Sequence, residues 1–221
     1  GGPVILEPLY PTLLSVRRIP NAADALLRAY GADPTRHHSL GLVTCDQDDS
    51  LYVALDEATK HANVDVVFAK SFYAGATHAS GPLSGEILGV LAAADPDEID
   101  AGLAALRRCI NHDACFYAAD AKAEVAVFPH VIASLGNYLS QEAGLHPGES
   151  MAYLVAPPIE GAIGLDAALK AADVRAAKIF PPPSETNFSA AWLTGDLVSC
   201  EAAAEAYAEA VVNVALFPFG S

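Results

Sequence analysis

Leu165-Asp166-Ala167-Ala168-Leu169-Lys170-Ala171-Ala172-Asp173-Val174 has an earlier counterpart in the same chain, Leu55-Asp56-Glu57-Ala58-Thr59-Lys60-His61-Ala62-Asn63-Val64, 110 positions upstream. Six of the ten positions agree. Both copies are rich in alanine and long-stemmed residues that favour helix, with Asp near the start where it suits the helix dipole. A probable strand follows each copy, Val64–Phe68 and Val174–Phe180. A repeat spaced at half the length of a 221-residue chain implies two similar domains in tandem. We place them at residues 4–113 and 114–221.

Working outward, Leu13–Ile19 reads as strand, and Asn21 as the cap of a helix through Leu26 and Leu27 that ends at Gly31. Leu40–Thr44 is a short apolar strand. Asp46-Gln47-Asp48-Asp49-Ser50 reads as a tight acidic turn, with Leu51–Leu55 returning to strand before the first repeat helix. Phe72–Ser84 is a Gly- and Pro-containing loop, and Glu86–Ala93 is strand. Asp95-Pro96-Asp97-Glu98 marks a helix start, with Asp95 as cap and Pro96 in first position. That helix carries Ile99, Leu103, Leu106 and Ile110 at helical spacing.

The downstream half repeats this order. A leading strand and helix occupy Val125–Ala143, and Ser150–Ala156 matches the Leu40 strand. Pro181–Asn187 replaces the earlier loop, Ser189–Leu193 is strand, and Asp196 caps a last helix bearing Ala204, Tyr207 and Val211. The last strand is offset by 102 positions instead of 110, so the second loop is shorter. Each half is therefore α+β, a mainly antiparallel sheet flanked by helices.

Composition narrows the function. Apolar residues make up 52% and charged residues 18%, an excess that suits a chain with extra surface buried against other subunits. The net charge of −15 repels phosphates, which argues against nucleic-acid and anionic-membrane partners and attracts small cations. The longest uncharged run, Val125–Gln141, contains Pro129, His130 and Asn137 and makes a poor membrane span. No secretory leader is visible, and Cys45, Cys109, Cys115 and Cys200 lack disulfide or CxxC spacing, so reduced thiols in a cytoplasm are expected.

Several chemical motifs fail on inspection. Asp46, Asp48, Ser50 and Glu57 mimic a calcium loop, but its sixth position, where glycine must turn the chain, is Leu51. Cys109, His112, Asp113 and Cys115 gather at a helix end with a spacing that fits no common zinc site. No nucleophile elbow, phosphate loop or dinucleotide fingerprint is present. We expect no enzyme, no metal and no cofactor. What remains is a recognition site. Asp48, Asp49 and Glu86 are acidic residues beside turns, able to form a pocket for a small cationic or hydroxylated metabolite with an aromatic wall at Phe116.

The repeat helix resembles the signature helix of bacterial microcompartment shell domains. Ser71-Phe72-Tyr73-Ala74-Gly75-Ala76, Met151–Pro158 and Pro181–Asn187 are similar to segments of the ethanolamine-utilisation shell proteins, a branch with two circularly permuted shell domains in tandem. The likeness runs from about Leu6 to the end. It implies a flat homotrimer that imitates a hexamer and packs with other shell proteins around a cluster of enzymes. It places Lys60 and Lys170 at the tile edge. It implies a central pore that loops Phe72–Pro82 and Pro181–Phe188 can gate, with Phe72, Tyr73, Gly75, Pro82, Pro183, Glu185 and Asn187 as gate residues. It also implies a small pore in each subunit, where Asp48, Asp49, Glu86 and Phe116 hold a small polar or amino-alcohol metabolite. The competing expectation is a soluble sensor or regulatory protein for a small amine, which would need the acidic pocket but no tile edge.

Overall fold

The computed structural model describes residues 6–71, 85–182, 184 and 188–220. The chain divides into two compact units, one formed by residues 10–114 with 136–139, the other by residues 1–9, 115–135 and 140–221.

In the first unit, strands β2 (Leu13–Ile19), β3 (Ser39–Cys45), β4 (Asp65–Ser71) and β5 (Ile87–Ala93) form an antiparallel sheet in the order β2-β3-β5-β4. Alternation along the central strands sends their side chains to opposite faces. Leu40 and Ala92, which are register partners, join Ala22, Leu27 and Ala32 under helix α1 (Asp24–Ala29). Helices α2 (Asp48–His61) and α3 (Pro96–His112) approach the intervening positions, where glycine makes room. A Cβ at Gly89 would lie 2.8 Å from Leu55 Cδ1, and one at Gly41 would lie 3.0 Å from Ile99 Cγ2. The cap of α3 forms as expected, Asp95 Oδ1 accepting from the Glu98 amide at 3.0 Å.

The other unit repeats this plan with β7 (Ala126–Ile132), α4 (Asn137–Ala143, its first turn belonging to the unit above), β8 (Ser150–Ala156), α5 (Pro158–Ala171), β9 (Arg175–Phe180), β10 (Ser189–Gly195) and α6 (Leu197–Leu216). Its strand order, β7-β8-β10-β9, is that of the first unit. Two strands extend it past β7, β6 (Phe116–Ala118) and β1 (Glu7–Leu9). Small residues on α5 (Gly161, Gly164, Ala168) and α6 (Ala203, Ala204) let both helices close onto Ala152, Leu154 and Leu193. The opposite face is aromatic, a run of Phe128, Tyr153, Trp192 and Phe180 with successive ring centroids 5.3, 5.5 and 4.9 Å apart. Asp196 caps α6 through the Ser199 amide at 2.7 Å.

The α+β class holds, as do the strands and helices at Leu13, Leu40, Asp95, Ser150 and Asp196. Three local expectations do not. Leu51–Leu55 is not strand, and Asp46–Ser50 is not a free-standing turn; residues 48–61 are one helix. The apolar run hid a helical stripe, since Leu51, Ala54, Leu55 and Ala58 are all buried. Asn21 caps nothing: α1 starts after Ala23, which makes no side-chain cap bond. Strands β1 and β6 were not foreseen, because three residues are too few for a periodic signal.

Candidate functional site

The acidic residues cluster where β3 passes into α2 and where the chain enters β5. Gly85, at φ +62, allows this close approach, since a Cβ there would strike the Cys45 carbonyl and the Thr44 hydroxyl. The Glu86 amide donates to the Cys45 carbonyl at 2.7 Å, which brings Glu86 beside the start of α2. There Asp48 Oδ1 accepts from the Asp49 amide at 2.7 Å, and Asp46 Oδ1 accepts from the Thr12 amide, also at 2.7 Å. Asp48 and Asp49 stand in the first helical turn, where the dipole favours negative charge. Burial raises the Glu86 carboxyl above the usual glutamate range, and the charges of Asp48 and Asp46 push it the same way. A carboxyl held back from ionising by two neighbouring carboxylates marks a place where a cation is favoured.

The structure thus brings Asp48 and Glu86 together, with Asp46 as a further member that sequence reading did not assign to the pocket; Asp49, the next residue of α2, is 9% exposed. Phe116 belongs to the other unit, where it is 7% exposed and packs on Phe128 and Phe188 at ring-centroid distances of 5.0 and 6.2 Å. The gate residues Phe72, Tyr73, Gly75, Pro82, Pro183, Glu185 and Asn187 lie outside the described residues.

The two repeat lysines sit in unlike settings. Lys60, whose side chain is 26% exposed, pairs with Glu57 at 2.7 Å; Lys170, 76% exposed, pairs with Asp166 at 2.8 Å. The repeated aspartates diverge further. Asp56 is 1% exposed, its Oδ2 accepting from the Gly136 amide at 2.8 Å and its Oδ1 from the Leu139 amide at 2.9 Å. Thr59 Oγ1 adds a bond from the Asn137 amide at 3.1 Å. Burial raises the Asp56 carboxyl above its ordinary value, while these amides and Lys60 act to lower it. Gly136 is required by this contact, since a Cβ there would lie 2.6 Å from the Asp56 carbonyl oxygen. Sequence reading noted Asp56 as half of a repeat and missed its task. Its recurrence, with Gly136 far downstream, carried no local signal.

The four cysteines are buried. Burial pushes the Cys45 and Cys109 thiols up to about 12, so neither is a nucleophile at neutral pH. Among the described residues, no three of His, Cys, Asp and Glu gather as they would around a metal ion. No described helix is long and apolar enough to cross a membrane.

Two tandem α+β units of identical strand order, each built around the same Leu-Asp…Ala…Lys helix, define a tandem shell-domain protein. Residues 39–121 match the BMC domain family. The microcompartment shell protein EutL of Clostridium perfringens is 48% identical over 210 residues, covering 95% of this chain and 96% of its own. The crystal structure of the ethanolamine utilization protein EutL from Leptotrichia buccalis superposes with a TM-score of 0.94 at 46% identity, covering 99% of this chain and all of that one. A trimeric microcompartment shell protein, PduB, matches at a TM-score of 0.75 and 19% identity over 93% of this chain and 89% of its own, which speaks to the fold alone. The chain belongs to the EutL family of bacterial microcompartment shell proteins.

Proposed function

We propose that this chain is a structural tile of a microcompartment shell, a homotrimer in which three pairs of like domains imitate six, with pores that admit small polar metabolites. The observation that carries this is the shared strand order of the two units, together with near-half identity to EutL shell proteins along the whole length. Residues 4–113 and 114–221 are then the two copies of the duplication, with β1 contributed by the first copy to the sheet of the second unit. Lys60 and Lys170 are the tile-edge residues, and residues 72–82 and 181–188 form the gate of a central pore. Binding in place of catalysis is the role of the acidic cluster. Asp48, Asp49 and Glu86 receive the ammonium of an amino alcohol such as ethanolamine.

Electron microscopy of the concentrated protein tests the tile directly: ordered sheets or closed shells are expected, and monodisperse monomers at every concentration would end the reading. Calorimetric titration with ethanolamine tests the pore. Binding that weakens as pH falls through the titration of Glu86 is expected, and equal affinity of the Glu86→Gln variant would remove the acidic cluster from the site.

A further inference from the structure

The duplication supplies an internal comparison at the corner of the sheet where β8, β9 and β10 meet. Position by position, the backbone there matches the first unit. Arg175 is the register partner of Thr194 and Ser150 that of Gly195, as Asp65 is of Ala92 and Ser39 of Ala93. The Leu135 amide donates to the Glu149 carbonyl at 2.9 Å, as the Ala22 amide does to the His38 carbonyl at 2.8 Å. Glu149 is thereby the counterpart of His38, and Gly148 that of His37.

In the first unit this corner is filled by its own side chains. His37 is buried, its Nδ1 accepting from the Asp33 amide at 2.9 Å and its Nε2 bonded to Asp65 Oδ2 at 2.7 Å. Glu98 Oε2 accepts from the Asn63 amide at 2.6 Å. None of these three side chains recurs. Gly148 stands for His37, with nothing within 4 Å of the place its Cβ would take, and the segment leading into the strand is two residues shorter. Ser199 stands for Glu98 at the capped position of the following helix, so the Asp173 amide lacks the carboxylate that its counterpart Asn63 has. Arg175 stands for Asp65, which reverses the charge. Among the described residues, neither Asp173 nor Arg175 makes an ion pair. The corner of the second unit instead encloses about 370 Å³ between Glu149, Ser150, Asp173, Arg175, Thr194 and Gly195. That volume lies within the range of small-molecule sites, about 300–1,000 Å³.

The lining is divided chemically. Arg175 presents a planar fork suited to a carboxylate, and the Asp173 amide adds a donor. The carboxylates of Asp173 and Glu149 suit an ammonium. One Glu149 oxygen already accepts from the His146 amide at 2.6 Å, and a carboxylate has lone pairs for further donors. The hydroxyls of Ser150 and Thr194 donate to the carbonyls of Ala133 and Ser150, which leaves both oxygens as acceptors for a polar side chain. A bare anion would satisfy Arg175 and face two like charges; a bare cation would leave the guanidinium without a partner. The geometry points to a binding site in this corner for a small polar α-amino acid, its carboxylate on Arg175 and its ammonium between Glu149 and Asp173. Such a ligand supplies a carboxylate for the one lost with Glu98 and fills the space of the His37 ring.

The site lies within one unit, so calorimetric titration of the full chain tests it apart from the shell reading. With L-serine as the probe, one saturable site per chain is expected, and acetate is expected to bind at least tenfold more weakly. Arg175→Gln and Glu149→Gln, both at the surface, are each expected to weaken serine at least tenfold with an unchanged far-ultraviolet dichroism spectrum. Ser199→Glu recreates the Asp95-to-Glu98 spacing of the first unit, a capping arrangement that favours the helix. It is expected to block serine without lowering the melting temperature, because its own carboxylate takes the Asp173 amide. Acetate bound as tightly as serine marks a simple anion site and overturns the inference. Serine affinity unchanged in Arg175→Gln, or no saturable binding to the wild type, overturns it as well.

Discussion

Asp56 shows how one carboxylate acquires a structural task from its surroundings. The backbone amides of Gly136 and Leu139 converge on it, and truncation removes the acceptor of each. Asp56→Ala is therefore expected to cost about 2–3 kcal/mol, read as a lowered denaturant midpoint with an unchanged slope. Asp166→Ala in the isolated chain should cost far less, because that side chain is exposed and its ion pair with Lys170 is a surface one. Glu86 makes the opposite prediction. Its carboxyl is raised in the folded state, so the fold binds its proton more tightly than the unfolded chain does. The stability this provides is present in acid and is lost as pH rises from the ordinary glutamate value of 4.5 through the raised one. Glu86→Gln should then melt above the wild type at neutral pH, with the gap closing as the pH is lowered past that window. Thermal melts of both proteins across pH 3–8 would show this, and a gap independent of pH would assign the effect to packing.

At the scale of the element, helix pairing in the second unit depends on missing side chains. A Cβ at Gly164 would lie 2.9 Å from the Tyr207 ring, whose side chain is fully buried. Alanine is the better helix former by about 1 kcal/mol, and in an exposed helix Gly164→Ala would stabilise. Here overpacking, about 1–3 kcal/mol, opposes that gain. We expect a net loss of about 1 kcal/mol, measured as a lower melting temperature, with Gly164→Val markedly worse. Most strand positions and two of the three helix caps were readable at this scale. Asp95 and Asp196 announced their helices because a cap is a contact within three residues. The start of α2 was misread because Leu51–Leu55 mixes β-branched and aromatic residues, and only burial of Leu51, Ala54, Leu55 and Ala58 together reveals a helical period.

For the whole molecule, the unlike settings of Lys60 and Lys170 bear on assembly. Both pair with a carboxylate on their own helix, but Lys170 does so at the exposed surface and Lys60 in a largely covered setting. If both serve the tile edge, Lys60→Ala with Lys170→Ala should abolish sheets in electron microscopy while sedimentation still finds the trimer. Lys170→Ala alone should account for most of that loss, since its side chain is 76% exposed against 26% for Lys60 and is the freer of the two to cross to another tile. Loss of the trimer itself would place these residues inside the subunit contacts.

The amino-acid order alone determined that the chain is a duplication, that each half is α+β, where most helices begin, and which family it resembles. All of these rest on contacts between near neighbours or on a repeat that can be counted. Only the tertiary structure decided that Asp56 and Asp166, alike in sequence, face a buried backbone turn in one copy and solvent in the other. It likewise decided that Glu86 meets Asp46 and Asp48 across about 40 positions of chain. Pairings at that distance depend on how sheets and helices close on one another, and local propensity holds no record of them.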